Sequence, residues 1–163
     1  MSSPETLPTL VLLLARLERL NESFMAGVCR RHDLSPSELR VLAMLRHRAV
    51  DREVSPSVLA RWIVQTSGGL TATLRRLEES GHVERVADPD DGRGRLVRLT
   101  DQGADRYEDV FLDLTRRYGV VFAELDQEAA LGAVRRMIGA FEEHEDIGRT
   151  GDWHADLTME ALA

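Results

Sequence analysis

Ser67-Gly68-Gly69-Leu70-Thr71-Ala72-Thr73-Leu74-Arg75-Arg76-Leu77-Glu78, running on through Glu79-Ser80-Gly81, decides the fold of this chain. Leu70, Leu74 and Leu77 recur at the spacing of one helical face, and Gly81 stands where a left-handed C-terminal cap is expected. Upstream, Ser55 is a strong N-cap and Pro56 suits a first helical position, so a short helix begins there and ends near Trp62. Gln65 and Thr66 fall in the link between them. The pair reads as a helix-turn-helix.

The face opposite the three leucines carries the chemistry. At about 100° per residue, Gly68, Ala72, Arg75 and Arg76 lie across from them, with Ser67, Gly69 and Thr71 at the flanks. Small residues let a helix settle into a major groove, hydroxyls donate to phosphates or bases, and arginine pairs bidentately with guanine. A solvated face that happens to carry two arginines would have the same composition. The following segment separates the two readings. Val83 to Val86 and Leu96 to Leu99 have the character of short strands. Asp88-Pro89-Asp90-Asp91-Gly92-Arg93-Gly94-Arg95 between them is turn chemistry with arginines near its tip. A hairpin beside a helix-turn-helix is a wing, and Arg93 or Arg95 can enter the narrow minor groove, where the negative potential is enhanced. Asp88, Asp90 and Asp91 would repel phosphate if all were exposed, so Asp91 is expected to orient Arg93.

At these residues the sequence resembles the MarR family of winged-helix repressors. The resemblance rests on Ser67 to Glu78, on Gly81-His82-Val83-Glu84-Arg85, and on Asp88-Pro89-Asp90-Asp91-Gly92-Arg93 running into Leu96-Val97-Arg98-Leu99-Thr100. It extends over roughly Leu7 to Asp146, where the outer helices match in pattern more than in residues. Gly92 stands where many relatives carry a larger polar residue. The resemblance implies a homodimer that binds palindromic double-stranded DNA and releases it on binding a small molecule. DNA contacts are then expected from Gln65, Thr66, Ser67, Gly68, Gly69, Thr71, Ala72, Arg75, Arg76, Arg93 and Arg95.

The chain has 163 residues, 43% hydrophobic and 30% charged, which suits one integrated domain. The net charge of −7 argues against nucleic-acid binding over the whole surface. From Arg61 to Arg98, however, seven arginines (61, 75, 76, 85, 93, 95, 98) face six acidic residues (Glu78, Glu79, Glu84, Asp88, Asp90, Asp91), so the acidity lies elsewhere. Cys29 is the only cysteine, excluding an intrachain disulfide and suggesting a reducing interior. The Leu10 to Leu14 run is too short for a membrane span and has no basic region before it, so a cytoplasmic protein is expected.

Outward from the core motif, Leu7, Leu10, Val11, Leu14, Leu17, Leu20 and Phe24 keep helical spacing in a first helix ending near Arg30-Arg31-His32. Ser35-Pro36-Ser37-Glu38 is a capping box opening a second helix, which carries Leu39, Leu42, Met44 and Leu45 to about Ala49. Asp51 to Val54 reads as a short polar link. After the wing, Thr100-Asp101-Gln102-Gly103 opens a long helix with Tyr107, Val110, Phe111, Leu114, Tyr118, Val121, Phe122 and Leu125 on one stripe. A last helix after Asp126 bears Ala130, Val134, Met137, Ile138 and Phe141. The expected fold is therefore mainly α with a small β-hairpin wing: a winged helix-turn-helix, dimeric through terminal dimerisation helices. Its regions are an N-terminal dimerisation helix (1–34), the winged region (35–100), C-terminal dimerisation helices (101–147) and a tail (148–163).

Other chemistry is weak. Histidines 32, 47, 82, 144 and 154 show no close paired-ligand spacing, so no metal or other cofactor is expected, and no phosphate-cradling loop or nucleophile elbow points to an enzyme. The resemblance implies an effector pocket between dimer helices and winged region, where Leu17, Phe24, Met44, His47, Arg48 and Phe111 are candidates. Apolar walls with a cationic or imidazole group suit a small aromatic or amphipathic anion. Two further readings stand beside the ligand-responsive repressor: a winged-helix interaction module without DNA, and a redox-sensing regulator using Cys29. Exposed arginines rather than apolar anchors favour DNA over the first, and the position of Cys29 near its helix's end favours a buried structural thiol over the second.

Overall fold

A computed structural model describes residues 5–63, 67–89 and 94–145. Six helices and three strands follow in order: α1 (Thr6–Arg31), α2 (Pro36–His47), β1 (Glu53–Val54), α3 (Pro56–Trp62), α4 (Ser67–Glu79), β2 (Val83–Ala87), β3 (Arg95–Leu99), α5 (Asp101–Val121) and α6 (Gln127–Glu145). The tail from Gly148 lies outside the described residues.

The punctuation works as local chemistry dictates. Ser35 accepts from the Glu38 backbone N–H while Glu38 accepts from that of Ser35, which completes the capping box of α2. Ser55 caps α3 and Thr100 caps α5, each with its side-chain oxygen. α4 closes in a left-handed cap: Gly81 has φ +74°, and the N–H groups of Gly81 and His82 return to the carbonyls of Glu78 and Leu77. α1 ends the same way without glycine, with Asp33 at φ +54°, a conformation that Asp tolerates better than most side chains.

Two expectations need correction. α2 stops at His47 rather than near Ala49, with Arg48 as its C-cap. Asp51 to Val54 is not merely a link: the chain turns through Asp51 and Arg52, both left-handed at φ +50° and +61°, and Glu53–Val54 pairs antiparallel with β3, Val54 opposite Val97. The hairpin is thus part of a three-stranded sheet of order β1-β3-β2. Arg98 on the central strand binds Glu53 on one side and Glu84 on the other, which ties the three strands together.

The core is built around α2, which packs against α1, α4 and α5. Leu42 and Leu45 from α2, Leu59 from α3, Leu74 and Leu77 from α4, Val97 from β3 and Val110 from α5 are fully buried. The stripes on α1 and α6 stay largely outside this core. Leu7, Val11, Leu17 and Leu20 are more than half exposed, and α6 contributes none of the core residues.

Candidate nucleic-acid interface

Leu70, Leu74 and Leu77 turn one face of α4 into the core, which fixes its other face toward solvent. On that outer face Gly68, Thr71, Ala72 and Arg75 line a shallow open hollow of about 400 Å³. A Cβ added at Gly68 would meet nothing within 4 Å, so the described part of the molecule gives no packing reason for glycine there. Gly69 and Thr71 are also exposed. Thr73, by contrast, is buried and donates its hydroxyl to the Gly69 carbonyl one turn back.

The two arginines expected to act alike are held differently. Arg75 is mostly exposed and faces Glu79 one turn on at 3.7 Å. Such an exposed pair is worth about 0.3–0.5 kcal/mol, against about 1–3 kcal/mol of discrimination for a bidentate guanine contact, so Glu79 does not hold Arg75 back. Arg76 instead donates through Nε to Glu38 at 2.8 Å, with Nη2 3.5 Å from Thr73. Glu38 is buried. Burial disfavours its charge, but hydrogen bonds from the Ser35 hydroxyl and backbone N–H and from Arg76 outweigh that and hold its carboxyl below the usual range.

The wing is set against α4 by a compact junction. Thr100 sends its backbone N–H to the His82 carbonyl, places its hydroxyl within 3.0 Å of the Gly81 and His82 carbonyls, and caps α5 through Gly103 N–H. Arg85 of β2 pairs with Glu78 of α4, and the Asp88 N–H reaches the Gly94 carbonyl across the arms of the wing. Arg95 opens β3 opposite Ala87 and is exposed, donating to the Gly94 carbonyl. Gln65, Thr66, Asp91 and Arg93 lie outside the described residues, as does the Ser67 side chain.

The six effector-pocket candidates fall into separate contacts. His47 Nε2 lies 2.9 Å from the Tyr107 hydroxyl, and the Tyr107 ring stacks on Phe111. Burial pushes Tyr107 up to about 12 and His47 below the ordinary imidazole value, so both are neutral near pH 7. Phe24 packs on Tyr118, Arg48 stands 5.0 Å over the Trp62 ring, Met44 packs against the core, and Leu17 is exposed on α1. Cys29 is fully buried and burial raises its pKa, which keeps it a thiol and a poor target for oxidants. Glu38 and Tyr107 are the site residues that sequence reading passed over. Glu38 was legible as a cap, but nothing local in the sequence joins it to Arg76.

A family model described as "MarR family" matches residues 32–94, the span from the end of α1 to the wing. The regulator PecS of Dickeya dadantii is 28% identical over 84% of this chain and 82% of its own length. Over its winged region the chain is similar to the MarR family. Among solved structures, wild-type MarR from E. coli in its apo form has a TM-score of 0.66 at 27% identity, covering 79% of this chain and 96% of that one. A mutant of E. coli MarR complexed with operator DNA has a TM-score of 0.67 at 23% identity, over 85% and 99% of the two chains, a likeness of fold. The chain has the winged-helix fold of these solved structures, and the relative PecS is a transcriptional regulator. No helix among the described residues is long and apolar enough to cross a membrane.

Proposed function

We propose that this protein is a dimeric, sequence-specific repressor that reads an inverted repeat and is released by a small aromatic or amphipathic anion. The observation that carries the DNA reading is the outer face of α4: an exposed hollow of glycine, threonine and alanine ending in Arg75, which only a loose 3.7 Å ion pair with Glu79 holds among the described residues. Its shape suits close approach to base edges, and Arg75 supplies the guanine-type donor fork. Arg95, with Arg93 beyond the described residues, supplies the cationic wing for the backbone or minor groove. That a relative of the same fold has been captured on operator DNA supports the same use here. The apolar faces of α1 and α6 support a second copy of the chain.

Selection of bound duplexes from a randomised pool tests the reading. Enrichment of an inverted repeat with half-sites about one helical turn apart is expected; recovery of no preferred sequence would overturn it. Release is a population shift: an effector that prefers a dimer with wrongly spaced recognition helices lowers DNA affinity by its differential affinity for the two states. Reciprocity then requires operator DNA to weaken effector binding by the same factor. A candidate phenolic or other aromatic compound that bound equally well with and without operator would be excluded as the effector.

A further inference from the structure

We propose that Glu38 is a positioning residue for DNA recognition, which fixes the Arg76 guanidinium and makes it a phosphate contact that sets the register of α4. The proposal rests on the DNA-reading function above. Glu38 belongs to α2, not to the recognition helix, and is 38 positions away in sequence. Its two carboxylate oxygens divide the work. Oε2 accepts from the Ser35 N–H and hydroxyl, both at 2.7 Å, while Oε1 accepts from Arg76 Nε at 2.8 Å. The capping box that starts α2 therefore anchors the same carboxylate that holds a side chain of α4.

The consequence follows from the geometry of guanidinium. A bidentate guanine contact needs two parallel N–H donors aimed at O6 and N7. With Nε committed to Glu38 and Nη2 3.5 Å from Thr73, the lateral edge of Arg76 is occupied; the outer Nη1–Nη2 pair stays open on a half-exposed side chain, but its plane is set by α2 and does not turn freely to follow a base edge. A half-exposed cation with its plane fixed suits a single phosphate oxygen, which carries no sequence information but sets where the base-reading face lies. Arg75, one position earlier and held among the described residues by Glu79 alone, is left to read bases. The carboxylate also lowers the local field, so nonspecific attraction is traded for a defined orientation. Without Glu38, Arg76 keeps its charge and loses its direction.

The experiment compares Glu38→Ala, Glu38→Gln and Arg76→Lys in the full chain. Affinities are measured for a duplex enriched from a randomised pool and for a random-sequence duplex, at one salt concentration. Glu38→Ala should reduce the ratio of specific to random affinity by on the order of tenfold while random-duplex affinity holds or rises. Glu38→Gln keeps an oxygen that can accept from Arg76 Nε and should retain most of the ratio. Arg76→Lys, which has charge but no Nε and leaves the capping box intact, should lose the ratio like Glu38→Ala, and the double variant should lose little more. Equal losses on both duplexes would mark a merely structural role and overturn the proposal, as would an unchanged ratio in Arg76→Lys should Glu38→Ala fail to fold. A wild-type protein with no sequence preference overturns the DNA reading and the proposal with it; a clear wild-type preference that all variants keep overturns the proposal alone.

Discussion

Two side chains of the winged region make opposite uses of burial. Arg75 is outside and lightly held, so Arg75→Ala should relax the preference for one base pair per half-site and cost roughly 1–3 kcal/mol on the selected duplex. Competition between duplexes differing at single positions measures this, and a uniform loss at all positions would contradict base reading by Arg75. His82 is inside. Because the Ser80 hydroxyl donates to the Leu77 carbonyl, its oxygen is left to accept from His82 Nδ1–H, and Nε2 finds no partner among the described residues. Burial and Arg106 depress the pKa of His82 against the opposing pull of Glu38. His47 is depressed as well, by burial first and then by Arg46. For both, the unfolded chain binds protons more readily than the fold. Their contribution to stability is thus present above pH 6.5 and is lost as pH falls through that value toward the folded pKa values. Glu38 adds a loss further down: its folded pKa lies under the ordinary 4.5, so its contribution stands above 4.5 and disappears as pH falls through the folded value. Thermal midpoints should decline from pH 7 to 5, and the double variant His47→Gln, His82→Leu should show a shallower decline. An unaltered slope would refute the assignment.

Among the elements, the junction of α4, β2 and α5 decides how the wing is held against α4. Its two glycines differ in kind. Gly81 needs its positive φ, and Gly81→Ala should cost about 1–2 kcal/mol for a left-handed alanine. Gly103 needs its missing Cβ, which would stand 2.0 Å from the His82 carbonyl oxygen and 2.8 Å from Leu99 Cδ1. Backbone cannot yield as a flexible side chain can, so Gly103→Ala should cost about 3 kcal/mol or more and displace the wing from α4. Denaturant unfolding of the two variants gives the ranking, and a smaller cost at Gly103 would show that α5 slides without consequence. What the sequence revealed here was whatever is written locally: the caps of α2, α3 and α5, the leucine stripe of α4, and Gly81. What it hid was pairing at a distance. β1 is two residues long, too short for any alternation, and exists because β3 offers an edge to Glu53 and Val54. Gly103 looked like part of a helix opening, since its reason lies in a carbonyl 21 positions upstream. The split between Arg75 and Arg76 was equally hidden, because helical spacing places both outside the core without saying that α2 brings Glu38 to one of them.

At the scale of the whole molecule, the apolar residues left over by the core are distributed unevenly. Leu7, Val11, Leu17 and Leu20 on α1, Val120 and Val121 at the end of α5, and Leu131, Val134 and Phe141 on α6 are all more than 40% exposed, whereas the described large apolar side chains of the winged region are buried or partly buried. An excess concentrated on the terminal helices, at about 25 cal/mol for each Å² removed from water, is what a second copy would cover. Two copies related by a twofold axis would present two α4 helices to successive major grooves, so dimerisation and operator affinity are linked. Each α4 alone would bind a half-site weakly; joined, the second contact becomes intramolecular and gains an effective concentration. Light scattering at micromolar concentration should therefore give twice the 18.3 kDa chain mass. Val11→Glu combined with Phe141→Glu should move the mass toward that of one chain, because each places a charge in apolar surroundings. The same variant should retain the fold of its winged region, whose core contains neither residue, and should lose on the order of a hundredfold or more in affinity for a two-half-site duplex while binding a single half-site as wild type does. A monomeric wild type, or a charged variant that stays dimeric, would place the dimer interface elsewhere.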